Sequence, residues 1–155
     1  MAGEPADHAL GRSQGGFGTK IHLVCDGQGN PMGVLLTPGQ DHESTVFEAT
    51  VDRVAVPTPN GRVRRRPRRV AGDKAYSAKR IRAWLRRHGI AAVIARPKNQ
   101  RRQRFDKARY RQRNVVERLV GWLKERRRLA TRYEKLAVSF LAMLKIAMCL
   151  WFLRK

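Results

Sequence analysis

Alternating apolar and polar residues near the start of the chain predict a β-hairpin. Over residues 19–25, Ile21, Leu23 and Cys25 fall on one face of an extended strand. The next five residues, Asp-Gly-Gln-Gly-Asn, have turn composition, and residues 32–37 suit a second strand. Residues 1–17 are rich in Gly, Ala and Ser and carry no apolar period, so we predict a loop or arm there.

The middle of the chain is predicted to alternate helices with short buried strands. Asp41 or Ser44 is expected to cap the first helix, and Ser77 is expected to cap the second, which Gly89 ends. The expected boundaries are 44–54 and 77–88 for the helices, 70–72 and 90–95 for the strands, and 57–69 for an arginine-rich loop.

Two helices are predicted in the last third of the chain. The first covers residues 107–128, with apolar positions at the i, i+3, i+4, i+7 spacing. These positions are Val116, Leu119, Val120 and Leu123. The second covers residues 136–153 and is apolar on most sides, so this chain or a partner must bury it. Lys145 lies at its centre, where a charge would be costly in lipid, so we expect no membrane insertion. The full order of elements is typical of an α/β domain with a hairpin edge.

The charge of the chain narrows the class of partner. Lys and Arg number 34 against 12 Asp and Glu, which leaves a net charge of +22. A folded domain with this charge repels itself, so a polyanionic partner, DNA or RNA, is expected. Charge alone does not separate a DNA-binding protein from an RNA-coating one. The arginines of the 57–69 loop are open to two interpretations, a solvated loop or a phosphate contact.

The two cysteines, Cys25 and Cys149, are far apart and have no metal-binding spacing. The sequence therefore predicts neither a disulfide framework nor a zinc cluster, and a reducing cytoplasm is the expected compartment.

Two carboxylates have a context that suits a functional site. Asp73 directly follows a predicted buried strand, where α/β sheets present residues to a site, although it could equally be a charge at a helix start. Glu117 shares a helical face with Arg113, Gly121 and Lys124. The alternative for Glu117 is an ordinary surface ion pair with Arg113.

Several ordered sequence blocks resemble a known family. Tyr110, Arg113, Glu117 and Lys124 match the Tyr-Arg-Glu-Lys signature of one branch of insertion-sequence DDE transposases. The flanking blocks that also resemble this family are 15–22, 36–40, 72–76, 114–118 and 130–135. The resemblance covers nearly all of the chain, which disfavours an RNA-binding structural protein, because that class does not explain the order of the blocks.

The resemblance implies a ribonuclease-H-like mixed sheet flanked by helices, with residues 18–155 as part of the DDE catalytic domain. Asp73 and Glu117 would be catalytic carboxylates and metal ligands for Mg²⁺ or Mn²⁺. The residues that would contact DNA are Tyr110, Arg113, Lys124, Lys74 and Arg118. The expected partner is double-stranded DNA at transposon terminal repeats. The complete enzyme is expected to be a homo-oligomer, located in the cytoplasm with the nucleoid.

One departure from the family pattern concerns its first aspartate. That residue belongs on a strand before Gly18, where this sequence has only Glu4 and Asp7, in a stretch without strand character. We therefore expect the first strand and its metal ligand to be missing. The chain would then be the second product of a split gene that needs an upstream-encoded piece, or a remnant. Either way we predict little or no activity alone, and a non-catalytic DNA-binding fragment or inhibitor is the alternative function.

Overall fold

Short strands and helices are connected by tight turns in the computed structural model, which describes residues 8–96 and 106–154. The strands are β1 Gly11–Ser13, β2 Gly16–Cys25, β3 Pro31–Pro38, β4 Val56–Pro57, β5 Val63–Arg64, β6 Arg69–Gly72 and β7 Ala91–Ile94. The helices are α1 Phe47–Asp52, α2 Lys79–Arg87, α3 Lys107–Arg111, α4 Asn114–Lys124, α5 Arg127–Ala130 and α6 Ala137–Leu153. Two 3₁₀ turns, Glu43–Val46 and Lys74–Tyr76, precede α1 and α2. The mixed α/β class is confirmed.

The predicted hairpin is confirmed as the antiparallel pair β2–β3. Asp26 holds its turn, because one carboxylate oxygen accepts from the N–H groups of Gln28 (2.8 Å) and Asn30 (2.9 Å). The interpretation of residues 1–17 as a loop or arm is wrong for 11–13 and 16–17, which are in strands. β1 pairs with the start of β2 through backbone bonds, which need no side-chain pattern, and Gly16 supplies the turn with a φ of 104°. Residues 1–7, including Glu4 and Asp7, lie outside the described part.

The strands predicted around α2 are confirmed as the parallel pair β6–β7. The helix buries Ile81, Trp84 and Leu85 against this pair, as its apolar spacing predicts. Gly89 follows the helix with a φ of 66°, the left-handed conformation that ends helices. Because β6 and β7 are parallel, their carboxyl ends lie together, and Asp73 directly follows one of them.

The predicted helix caps are wrong in both places. Ser77 is buried instead, its hydroxyl accepts from Arg82 (3.0 Å), and α2 begins after Ala78 without a side-chain cap. The earlier turn is capped by His42, whose ring nitrogen accepts from the N–H of Ser44. The helix after it, α1, is only six residues long.

The single long helix predicted for 107–128 is three helices. At the α3–α4 junction, i→i+3 bonds replace the helical ones: the N–H of Val116 donates to the Arg113 carbonyl (3.1 Å). Arg126 is extended, with a ψ of 108°, so the chain turns before α5. After this turn Leu129 is buried in the same core as Leu119 and Leu123.

The predicted apolar helix at the C-terminus is confirmed as α6 and packs on β3. Phe140, Leu144 and Ala147 are buried in the core that α4 and β3 share. The opposite side of α6 is exposed and apolar, with Ile146 61% and Leu153 81% accessible. No helix within the described residues has both the length and the apolarity to cross a membrane.

The described strands form separate sheets rather than the single mixed sheet that was expected. β1, β2 and β3 make an antiparallel sheet, and β6 and β7 make a parallel pair. Within residues 8–96 and 106–154, no strand pairing joins these two units. The segment predicted as a loop over 57–69 contains a two-stranded hairpin, β4–β5, whose turn the Thr58 hydroxyl closes by donating to the Arg62 carbonyl (2.6 Å).

A buried histidine makes stability depend on pH. His22 is 3% exposed and its Nε2 lies 2.8 Å from the Thr37 hydroxyl. Burial lowers the pKa of His22 below its ordinary value, with a smaller contribution from Lys20, against the opposing charges of Glu43 and Asp41.

We therefore expect the free energy of unfolding to fall as the pH drops below about 6.5, because the unfolded chain then binds a proton that folded His22 resists. Above that pH the contribution is fully present. Urea unfolding of wild type and His22→Gln between pH 7.5 and 5 measures this contribution. The free energy of unfolding should fall less steeply with decreasing pH in the variant than in wild type. Parallel curves would show that His22 does not cause the pH dependence.

Candidate functional site

Asp73 lies at the carboxyl end of β6 and also begins the next 3₁₀ turn. Its Oδ1 accepts from the N–H of Ala75 (2.9 Å), so Asp73 caps this turn, as one of its two interpretations predicted. Its role in a functional site stays a prediction. The side chain is exposed, and its other oxygen makes no hydrogen bond with a described residue. Lys74, the next residue, is exposed as well. The position leaves one carboxylate oxygen available to a ligand.

Tyr76 packs beside this carboxylate. Its ring centroid lies 5.5 Å from that of Phe47, and a Cβ at Gly72 would stand 3.2 Å from the Tyr76 ring. Glycine at position 72 therefore allows the close approach. Burial, and then the negative charges of Asp73 and Glu43, raise the pKa of Tyr76 to about 12. The phenol thus stays protonated and can donate a hydrogen bond next to the carboxylate.

Tyr110, Arg113 and Glu117 are brought together where α3 meets α4. Arg113 Nη2 lies 2.7 Å from Glu117 Oε1, and the Arg113 guanidinium stands 5.6 Å from the Tyr110 ring centroid. The Arg113 side chain is 29% exposed, whereas that of Glu117 is 58% exposed. Arg113 is therefore held between the aromatic ring and the carboxylate and fixes the orientation of Glu117.

The outer face of α4 is open to a large ligand. Glu117, Gly121 and Lys124 share this face and are exposed, and nothing lies within 4 Å of a Cβ placed on Gly121. Arg118 is exposed beside it. Lys124 has no ion pair within the described chain, so this face offers a free cation two turns from the carboxylate.

Asp73 and Glu117 remain in two separate groups. No hydrogen bond or ion pair joins them, but α3, which carries Tyr110, contacts both β6 and β7. In the described ranges, no three His, Cys, Asp or Glu side chains are grouped closely enough to hold a metal ion. Carboxylate oxygens are the donors that Mg²⁺ prefers, and each of the two carboxylates keeps one unbonded oxygen. The two residues therefore have the donor atoms that a divalent cation prefers, but they do not make a complete site among the described residues.

Arg82 was not identified from the sequence. Its guanidinium donates to the Ile94 carbonyl (2.8 Å) at the carboxyl end of β7, next to the end of β6 that carries Asp73. Burial, and then the charge of Arg96, lower the pKa of Arg82. No local pattern distinguishes this arginine from the others of α2, because only the parallel pairing brings it to this end.

Glu43 was not among the site residues predicted from the sequence. The structure places it 3.1 Å from Lys20 Nζ, and its charge acts on the same Tyr76 phenol as that of Asp73. Burial is the largest single influence on the pKa of Glu43 and raises it. A backbone hydrogen bond at Glu43, and then the hydrogen bond and charge of Lys20, outweigh burial and hold this pKa below its ordinary value. The two 3₁₀ turns, which contact each other, create this proximity.

Comparisons with known proteins assign the family. A family model described as a transposase DDE domain matches residues 4–152. A protein of Burkholderia cepacia described as "Putative transposase for insertion sequence element IS402" is 34% identical over 134 residues, which are 86% of this chain and 62% of that protein. The chain thus spans less than two thirds of this relative's length. No solved structure matches the chain significantly. On the family match and the identity to this relative, the chain belongs to the DDE-domain transposases of insertion sequences.

Proposed function

We propose that this chain is part of a metal-dependent transposase that binds the terminal repeats of a transposon as double-stranded DNA and serves cut-and-paste transposition. The observation that carries the proposal is the Tyr110–Arg113–Glu117 group on the open face of α4. An exposed carboxylate held by a stacked arginine, in a chain of net charge +22, suits chemistry on a polyanion. Membership of the family supplies the class of reaction.

Asp73 and Glu117 are proposed as two ligands of a Mg²⁺ or Mn²⁺ pair, which would supply charge stabilisation and an activated oxygen nucleophile. The third carboxylate is proposed to lie on a strand from outside the described residues. Such a strand, inserted between β2 and β6, would join the separate sheets into one ribonuclease-H-like sheet. The separation of these sheets in the described residues supports this arrangement.

The cationic and aromatic residues around Glu117 are proposed to contact DNA. Lys124 and Arg118 are exposed on or beside the open face of α4, where phosphates can approach. Lys74 is placed to do the same next to Asp73. Arg113 would position Glu117 and Tyr110 would contact the DNA nearby, which agrees with the contacts that already hold these two side chains. The match to the Tyr-Arg-Glu-Lys branch remains part of the proposal.

A second candidate function is non-catalytic DNA binding, in which the chain occupies transposon ends or inhibits a complete enzyme. Its support is the lack of a three-carboxylate group within 8–96 and 106–154. Both candidates share one proposal, that this chain alone does not cleave DNA. Only the first candidate has an upstream-encoded piece as the partner that would restore cleavage.

The complete enzyme is proposed to be a homo-oligomer in the cytoplasm, associated with the nucleoid. The exposed apolar side of α6, with Ile146 and Leu153, supports an oligomer, because a large solvent-facing apolar patch is typical of an interface.

The experiment that tests the proposed function mixes the purified chain with labelled terminal-repeat duplex and Mn²⁺, with and without the upstream-encoded peptide. We expect binding in both mixtures and cleavage only when the peptide is present. Binding without cleavage in both would favour the non-catalytic candidate. Cleavage by the chain alone would contradict the proposed need for a partner, and no binding to any duplex would reject both candidates.

A further inference from the structure

A second basic surface lies at the opposite end of the parallel strands from Asp73. β6 and β7 begin side by side, since Arg69 pairs with Ala91, whose N–H donates to the Arg68 carbonyl (3.1 Å). α2 ends just before β7, so its last turn lies at this same end. Four exposed arginines lie at this end, Arg68, Arg69, Arg86 and Arg87, and the exposed Arg64 and Arg65 precede them on the segment that leads into β6. We call these six residues the arginine edge.

Arg66 anchors the segment that carries four of these arginines. It forms an ion pair with Asp52 at the end of α1, and its guanidinium stands 5.1 Å from the centroid of the Trp84 ring on α2. Pro67 follows, and its ring fixes its own φ angle. The β5–β6 connection is therefore held against α2 and is not a freely moving loop.

The six arginines differ from Arg66 in having no acidic neighbour. None of their guanidinium groups makes an ion pair or hydrogen bond with a described residue, whereas Arg66, Arg80, Arg109 and Arg113 each pair with a carboxylate. Six unpaired cations on one edge repel each other, which costs stability unless an anion binds. A guanidinium can bind a phosphate through two parallel hydrogen bonds, so a cluster of arginines suits contact with a nucleic-acid backbone. A surface that contacts only water does not need this geometry.

The arginine edge is far enough from Asp73 to be a separate contact and near enough for one duplex to reach both. The distance from Arg69 to Asp73 along β6 is about 13 Å at roughly 3.3 Å per residue. A DNA duplex carries one charge per ~1.7 Å of its axis, so this distance corresponds to about eight phosphate charges.

We propose that the arginine edge is a second DNA contact, which holds duplex DNA by its phosphates without reading sequence. The inference rests on the proposed DNA-binding function and adds a surface that the Tyr110–Arg113–Glu117 group does not include. We therefore expect the β5–β6 segment and the end of α2 to contribute a large part of the electrostatic affinity for duplex DNA.

The test compares two variants that each lose four positive charges. One changes Arg64, Arg65, Arg68 and Arg69 to Gln. The matched control changes Arg12, Arg53, Lys135 and Lys145 to Gln, all exposed and without an ion pair in the described chain. Binding to a random-sequence 30-base-pair duplex is measured over a range of KCl concentrations.

We expect the arginine-edge variant to reduce the slope of log affinity against log salt by about 3 to 4, at roughly 0.9 per lost phosphate contact. Its affinity at 0.1 M salt should fall by about 100-fold or more. The control should change the slope by less than about 1. Arg86→Gln with Arg87→Gln, on a helix surface that does not contribute to the core, should reduce it by about 2 and tests the edge even if the quadruple variant folds poorly.

Equal slopes for the two quadruple variants, with wild type still binding duplex, would overturn the arginine edge and leave the proposed function intact. Absence of duplex binding by wild type at any salt would instead reject the proposed function. Tighter binding to single-stranded RNA of the same length than to the duplex would overturn the assignment of DNA as the partner of this edge.

Discussion

Replacing Asp73 by Asn or Glu117 by Gln is expected to abolish DNA cleavage in the mixture of chain and upstream peptide while leaving DNA binding intact. Each change removes a proposed metal-ligand charge and keeps the size of the side chain. Loss of an outer-shell partner of a metal costs roughly 10–100-fold, so loss of a ligand should cost more than about 100-fold. DNA affinity should stay equal or rise slightly, because each variant is one charge more positive.

The matched control for both variants is Glu125→Gln, which removes an exposed carboxylate from the end of α4 without a described contact. Neither site variant should unfold the chain, since the Arg113–Glu117 pair is partly exposed and worth about 1 kcal/mol or less. Mn²⁺ affinity of the peptide complex, measured by titration calorimetry, gives a readout besides cleavage and should fall for both. Full cleavage by either variant, or equal losses with Glu125→Gln, would contradict the assigned ligands.

Phe140→Ala is expected to destabilise the fold by about 3–5 kcal/mol. The Phe140 ring is 1% exposed in the core shared by α4, α6 and β3, and the Arg132 guanidinium lies 5.4 Å from its centroid. Because small domains are stable by only about 5–15 kcal/mol in total, the variant should be largely unfolded at moderate urea.

The matched control is Phe152→Ala on the same helix, where the ring is 48% exposed. It should change stability by no more than about 0.5 kcal/mol, since it leaves no core cavity. Urea unfolding followed by circular dichroism compares the two. Equal midpoints would mean that α6 is not packed on β3 as described, and a larger loss for Phe152 would place the buried side of α6 on its other face.

The local pattern of the sequence determined the elements whose burial is one-sided. The β2–β3 hairpin and the stripe of Ile81, Trp84 and Leu85 follow from periods of about 2 or 3.6 residues, and the strand before Asp73 follows from a short apolar run. The same reasoning identified the Arg113–Glu117 ion pair, because residues four apart on a helix are neighbours. The net charge of the chain, which predicts a polyanionic partner, also follows from the sequence without a structure.

Features that depend on backbone pairing or on distant contacts could not be predicted in this way. β1 forms through main-chain hydrogen bonds between glycine-rich segments, and such pairing leaves no apolar period. The break in the predicted 107–128 helix accompanies the packing of Leu129 in a core that α6 completes, a contact between residues distant in sequence. A capping motif at Ser77 was outweighed because this side chain is buried against Arg82.

The residues of the candidate site also fall into two groups, those that the sequence predicted and those that only the structure brought together. The sequence by itself predicted Asp73, Glu117, Tyr110 and Arg113 as site residues, because their local context and the family blocks can be read along the chain. Only the tertiary structure brought Arg82 to the end of β7 and Glu43 to the Tyr76 phenol, and only the parallel pairing of β6 with β7 gathered the arginine edge. These residues are far apart in sequence, and their electrostatic interactions depend on distance in space, which the order of residues does not give.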